Sequence, residues 1–91
     1  MVIFITGPKF RANLSLMHAL KLRLTPTRPD VNVRIVDWGC QPAVIHPHDK
    51  WFILAYSDMP EDAPWPEEPH TIINVDAPVD EQVGVVMGEL G

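Results

Sequence analysis

The chain has 91 residues, 46% of them hydrophobic, and a formal charge of −5. That is enough for one packed domain and too little for two. The single cysteine, Cys40, rules out a disulfide-stapled scaffold, and no apolar run reaches the ~18 residues needed to span a bilayer.

In chain order, Val2–Thr6 is β-branched and apolar and stops at Gly7-Pro8, which predicts a buried strand. Ala12–Leu24 carries Leu16, Met17, Leu20 and Leu24 at helical spacing, with Leu14 and Leu22 widening the apolar stripe. Lys21 and Arg23 suit its last turn, where cations complement the helix dipole, and Pro26 and Pro29 stop it. Val31–Val36 alternates apolar and polar residues as a second strand and ends at Asp37-Trp38-Gly39. Residues 40–50 read as a loop with a short extended piece at Ala43–Ile45. Trp51–Tyr56 is a third strand. Ser57–His70, with four prolines and five carboxylates, cannot be regular structure. Thr71–Val75 is a fourth strand, and Asp76-Ala77-Pro78 opens a helix with Val79, Val83, Val86, Met87 and Leu90 on its apolar side.

The order β-α-β-β-β-α, with near-continuous apolar strands, predicts a small layered α/β domain. It has about four mostly parallel strands, two helices and long Pro-rich connections. Met1 leads directly into the first strand with no basic segment ahead of it, so a cytosolic protein of a cell or an infected host is expected.

Charge is uneven. Residues 1–36 sum to +5 and residues 37–91 to −10. Either the halves offset each other across the folded surface, or an acidic face is offered to a basic partner. The segment Asp58–Pro69 concentrates this acidity in Asp58, Glu61, Asp62, Glu67 and Glu68 around Trp65. Its prolines reduce the entropy lost on binding, and an exposed Trp would anchor a partner. Otherwise Trp65 folds back on the sheet as a lid. Asp80, Glu81 and Glu89 extend the acidic set. With a pI near 5.1 and no aromatic residues interleaved among the bases, direct nucleic-acid binding is not expected. The leading expectation is a non-enzymatic interaction protein. By size and charge it is comparable to viral or mobile-element inhibitors that occlude a basic host surface.

Gly7-Pro8-Lys9-Phe10-Arg11, between the first strand and first helix, is the alternative site. Helix N–H groups with Lys9 and Arg11 beside them suit an anion. Ile3-Phe4-Ile5-Thr6-Gly7-Pro8-Lys9 resembles the opening of a P-loop NTPase of the nucleotide and small-molecule kinase branch. In the G-x-x-x-x-G-K-[ST] pattern, Gly7 matches the first glycine. Ala12 stands at the second glycine, Asn13 at the lysine and Leu14 at the Mg²⁺-binding hydroxyl, with Ser15 one position late. Val75-Asp76-Ala77-Pro78 is similar to the late strand and helix start of such kinases. The resemblance implies a trimmed, nucleotide- or phosphate-binding scaffold without the phosphoryl-transfer groups.

Three further constellations remain. Cys40, His46 and His48, with Asp49, have spacing that would suit part of a Zn²⁺ site, though four ligands are needed and His18 and His70 lie far off in sequence. Cys40 with either histidine would form a thiol–imidazole pair, and Asp37 and Asp76 at strand ends would serve as acid and base. Gly84 and Gly88, four apart on the last helix, would let it pack closely on the sheet or on a second copy of the chain. No cofactor is called for.

Overall fold

The computed structural model describes residues 1–42 and 44–91. It contains β1 (Val2–Thr6), α1 (Phe10–Leu24), β2 (Asn32–Ile35), β3 (Lys50–Ala55), β4 (His70–Asn74) and α2 (Val79–Leu90). The four strands form one all-parallel sheet in the order β2-β1-β3-β4. The expected small α/β domain is what the chain forms. Strand limits differ from the sequence expectation by one residue at most ends. Of the stretch expected to be briefly extended, Ala43 lies outside the described residues, and Val44 and Ile45 are irregular.

Alternation along β1 divides the core in two. Ile3 and Ile5 join Phe52, Leu54 and Ile73 beneath Leu16 and Leu20 of α1 and Val83 and Val86 of α2. Both helices cover that face and touch each other. Phe4 points the other way, with Trp51 and Val36, and packs with Val2 and Ile45. The rings of Phe4 and Trp51 lie 5.0 Å apart.

Chain handedness accounts for this division. Parallel crossovers are right-handed, so the step from β1 to β2 puts α1 on one face. The steps from β2 to β3 and from β3 to β4 run the opposite way across the sheet, so right-handed connections there cross the other face. Those connections hold no helix, and loops cover the second face.

Helix α1 starts at Phe10, two residues before the apolar stripe. Lys9 is its N-cap without a side-chain cap bond, and the Lys9 carbonyl accepts from the Ala12 and Asn13 N–H groups. A cap with no side-chain hydrogen bond leaves no mark in the sequence. Leu22 was expected to widen the buried stripe but is 80% exposed, because only Leu16, Leu20 and Leu24 line up under the sheet. In α2, Val79 is 37% exposed, and Gln82 is buried on the inner side. The Gln82 Nε2 lies 3.0–3.3 Å from the carbonyl oxygens of Asn74, Val75 and Ala77, tying the helix to the end of β4. The Asn74 side chain accepts the Asp76 N–H, so Asn74 supplies the turn bond.

The tightest point of the fold is the end of β1. A Cβ on Gly7 would sit 2.3 Å from the Leu54 carbonyl oxygen, and Gly7 has a φ of 152°. Only glycine lets the β1–α1 turn pass this close to β3. Gly7→Ala is expected to destabilise the protein by at least about 2 kcal/mol, because the atom in the way is backbone and cannot swing aside. For a domain of this size that lowers Tm on the order of 10 °C. Thermal unfolding checks it. A shift of only a degree or two would mean that the turn yields freely.

Candidate functional site

The second sheet face carries part of the acidic loop singled out by sequence. Trp65, from the acidic loop, stands edge-to-face with Trp38 at 5.6 Å and 88°, and lies parallel to His70 of β4 at 6.0 Å. It is half-buried and folds back toward the sheet, so the lid expectation describes its placement better than a free anchor does. The loop is also held locally, with Ala63 N–H donating to the Pro60 carbonyl and Trp65 N–H to the Ala63 carbonyl.

The loop carboxylates divide. Asp58, Glu61, Asp62 and Glu67 are exposed. Glu68 is half-buried, with Oε2 shut off from solvent and without a hydrogen-bond partner. Among the described residues the one ion pair is Arg28–Asp30 at 3.5 Å, within the basic half. Direct pairing between the basic and acidic halves is therefore absent among those residues. Asp80 and Glu81 occupy the first turn of α2, where negative charge suits the helix dipole.

Two cavities flank this face. The smaller, about 130 Å³, lies beneath the loops and is lined by Thr6, Trp38, Cys40, Trp51, Pro64 and Trp65 among others. The larger, about 540 Å³, opens at the N-terminal ends of β3 and β4, between His46, Lys50, Glu68, His70 and Glu89. Several polar groups of the larger cavity are already engaged. Asp49 Oδ1 accepts the Val2 N–H and Oδ2 the His46 N–H, both at 2.9 Å. His70 Nδ1 lies 2.9 Å from the Glu68 carbonyl oxygen.

The remaining constellations are not assembled. Cys40 is exposed and lines the smaller cavity, and His46 lines the larger. The rings of His46 and His48 stack at 5.8 Å. Among the described residues no three His, Cys, Asp or Glu side chains are grouped to hold a metal ion, so Cys40, His46 and His48 do not form the ligand set their spacing suggested. Asp37 follows β2 and Asp76 follows β4, at opposite edges of the sheet. Three inter-strand steps, roughly 14 Å, separate those edges, too far for one acid–base pair. His18 is exposed on α1. Gly84 and Gly88 face open space, with nothing within 4 Å of an added Cβ, so they do not seat α2 on the sheet.

At the turn after β1, Gly7 is buried, and Lys9 and Arg11 are exposed. Asn13, at the place of the P-loop lysine, is 1% exposed and folds back so that its Nδ2 donates to the Gly7 carbonyl at 3.1 Å. Its Oδ1 has no partner. Sequence reasoning passed over Thr6, Asn13 and Gln82 as chemistry-bearing residues. Each sits in or next to an otherwise apolar run, and only burial distinguishes a polar residue there. Among the described residues, no helix is long and apolar enough to cross a membrane. Comparison with known protein families, curated proteins and solved structures finds no match.

Asp49 connects the sheet to this region. Partial burial raises its pKa, but the N–H groups of His46 and Val2 and the nearby His46 and His48 rings outweigh that and hold it below 3.8. A carboxyl lowered in the folded state stabilises the fold at pH above its unfolded value, and that contribution fades as pH falls through the folded value. Asp49→Asn is therefore expected to lower the urea midpoint at pH 7 and to do so less at pH 3. An equal deficit at both pH values would separate the charge of Asp49 from its structural role.

Proposed function

We propose that the protein is a non-catalytic interaction module that engages a basic surface on a partner protein through the loop-covered face of its sheet. The observation that supports this reading is the state of Asp58, Glu61, Asp62 and Glu67. All four are exposed on a loop braced by Trp65 against Trp38 and His70, and none belongs to an ion pair among the described residues. Bracing and proline content lower the ordering cost of binding. Unpaired carboxylates of one sign speed encounter with a basic surface and select against acidic ones. Trp65 serves here as the brace, and Glu68, half-buried, is not among the contacting groups.

A second reading places a phosphate or nucleotide at Gly7, Lys9 and Arg11. In its favour, the first turn of α1 carries no acid and no side-chain cap. Against it, Asn13 is buried and its Nδ2 is already used by the Gly7 carbonyl, so it turns no donor toward an anion.

Reversal of Glu61, Asp62 and Glu67 to Lys is expected to abolish retention of partner proteins on the immobilised chain without lowering Tm. Salt should release what the wild-type chain retains, as screening shortens to about 3 Å at 1 M. Retention unchanged by the reversal would remove the acidic face from the reading. Inorganic phosphate and ATP with Mg²⁺ are each expected to leave Tm where it is. A rise in Tm that the pair Lys9→Ala and Arg11→Ala removes would put the second reading first.

A further inference from the structure

We infer that the protein assembles with copies of itself, the β4 edge of one chain docking on the β2 edge of the next. The two sheet edges form this contact, whether or not a basic partner engages the acidic loop.

The strands lie in the order β2-β1-β3-β4, so the open edges are β2 and β4. Charge is divided between the two sides of the sheet. β1, α1 and β2 lie within residues 1–36, which sum to +5, and β3, β4 and α2 lie within residues 37–91, which sum to −10. Helix α1 packs on β1 and β2 and α2 packs on β4, so the helices follow the same division. Among the described residues no ion pair joins the two sides.

The β2 edge is a receiving groove. A cavity of about 490 Å³ lies between β2 and the C-terminal end of α1. Asn32, Val33 and Arg34 all line it. Consecutive strand residues point to opposite faces, so one cavity reaches all three only along the open edge. Leu24 and Val31 give it apolar walls, and its charged residues, Lys21 and Arg34, are both positive. Asp30, the one acid of this half, pairs with Arg28 at 3.5 Å.

The β4 edge is complementary. His70–Asn74 contains no Asp, Glu, Lys, Arg or Pro, the residues that commonly protect an edge from association. Ile72 at its centre is 56% exposed. The Val75 N–H donates to the Ala55 carbonyl of β3. Alternate residues of a parallel strand bond to opposite sides, so Thr71 and Ile73 bond to β3 and Ile72 presents its N–H and carbonyl outward. Glu67 and Glu68 before the strand and Asp76 after it place negative charge at both ends. Such a strand adds to an open edge through its main chain, and the flanking charges select which edge.

Charge also selects against symmetric pairing. Two β4 edges would bring Glu67, Glu68 and Asp76 against the same residues of the other chain, and two β2 edges would bring Arg34 against Arg34. A head-to-tail contact leaves one edge of each kind free, so assembly continues past two chains. The net charge of −5 opposes self-association, but at about 0.15 M salt the screening length is only about 8 Å. The outer edges of two joined sheets are several strand spacings apart and are screened from each other, while the joined edges are not.

The test is sedimentation velocity of the full chain over a range of concentrations at about 0.15 M and about 1 M salt, with screening lengths of about 8 and about 3 Å. At the lower salt the weight-average mass is expected to rise with concentration past twice the chain mass of 10.3 kDa. At the higher salt it should fall to that of one chain. Ile72→Pro removes an outward N–H and no bond to β3, and Arg34→Glu reverses a charge of the groove. Each variant alone is expected to remain a single chain. Mixed in equal amounts, they should form a one-to-one pair and nothing larger, because one keeps only its β2 edge and the other only its β4 edge. A wild type that stays a single chain at every concentration, or stops at a dimer, would overturn the inference. So would assembly that survives the higher salt, or a mixture whose two variants stay apart. Should Ile72→Pro not fold, the salt series and Arg34→Glu still decide.

Discussion

A parallel sheet must be dry on both faces, and this chain has two helices that both lie on one of them. The rest of the structure follows from that constraint. The face without helices has to be covered by the two long connections between strands, and irregular backbone covers a sheet well only when large side chains come with it. Trp38 and Trp65 supply that area from the loops, and Phe4, Val36 and Trp51 supply it from the sheet side. Of the four prolines of the second connection, Pro66 is buried, and Pro60, Pro64 and Pro69 are exposed. Rigid rings packed by loops do not fill space as closely as interlocking helices do, and the smaller cavity is the gap they leave.

The same constraint explains why the polar residues of the core matter. Where β1 turns into α1, Gly7 passes so close to the Leu54 carbonyl that no side chain fits, and Asn13 supplies the bond that holds the turn. Where β4 turns into α2, Gln82 collects three carbonyl oxygens in the same way. Asp49 ties the first connection to the start of β1. These three side chains do locally what capping residues do elsewhere, and none lies in a pattern that announces a cap.

The acidic connection serves the fold and the surface with different residues. Trp65 and Pro66 cover the sheet, Glu68 is drawn inward, and Asp58, Glu61, Asp62 and Glu67 are left in solvent. Concentration of negative charge on that loop, unpaired with the basic half among the described residues, gives the molecule one region of distinct character. The proposed interaction role rests on that region, while Asp37 and Asp76 stand at opposite sheet edges and Cys40 and His46 line different cavities.

By itself, the sequence determined the class of the fold, the order of the six elements and the parallel start. Apolar runs, helical spacing and proline breaks are local properties, and a strand-helix-strand opening has one favoured hand. It also located the acidic loop and restricted Trp65 to two roles. Tertiary structure alone decided between those roles, left Leu22, Gly84 and Gly88 in solvent, buried Gln82 and Asn13, and separated Cys40 from His46. It also brought Thr6 and Trp51 onto one cavity with the other two tryptophans. Each of these depends on which strands are neighbours and in what register. That is settled by contacts between residues far apart in the chain, which no local pattern records.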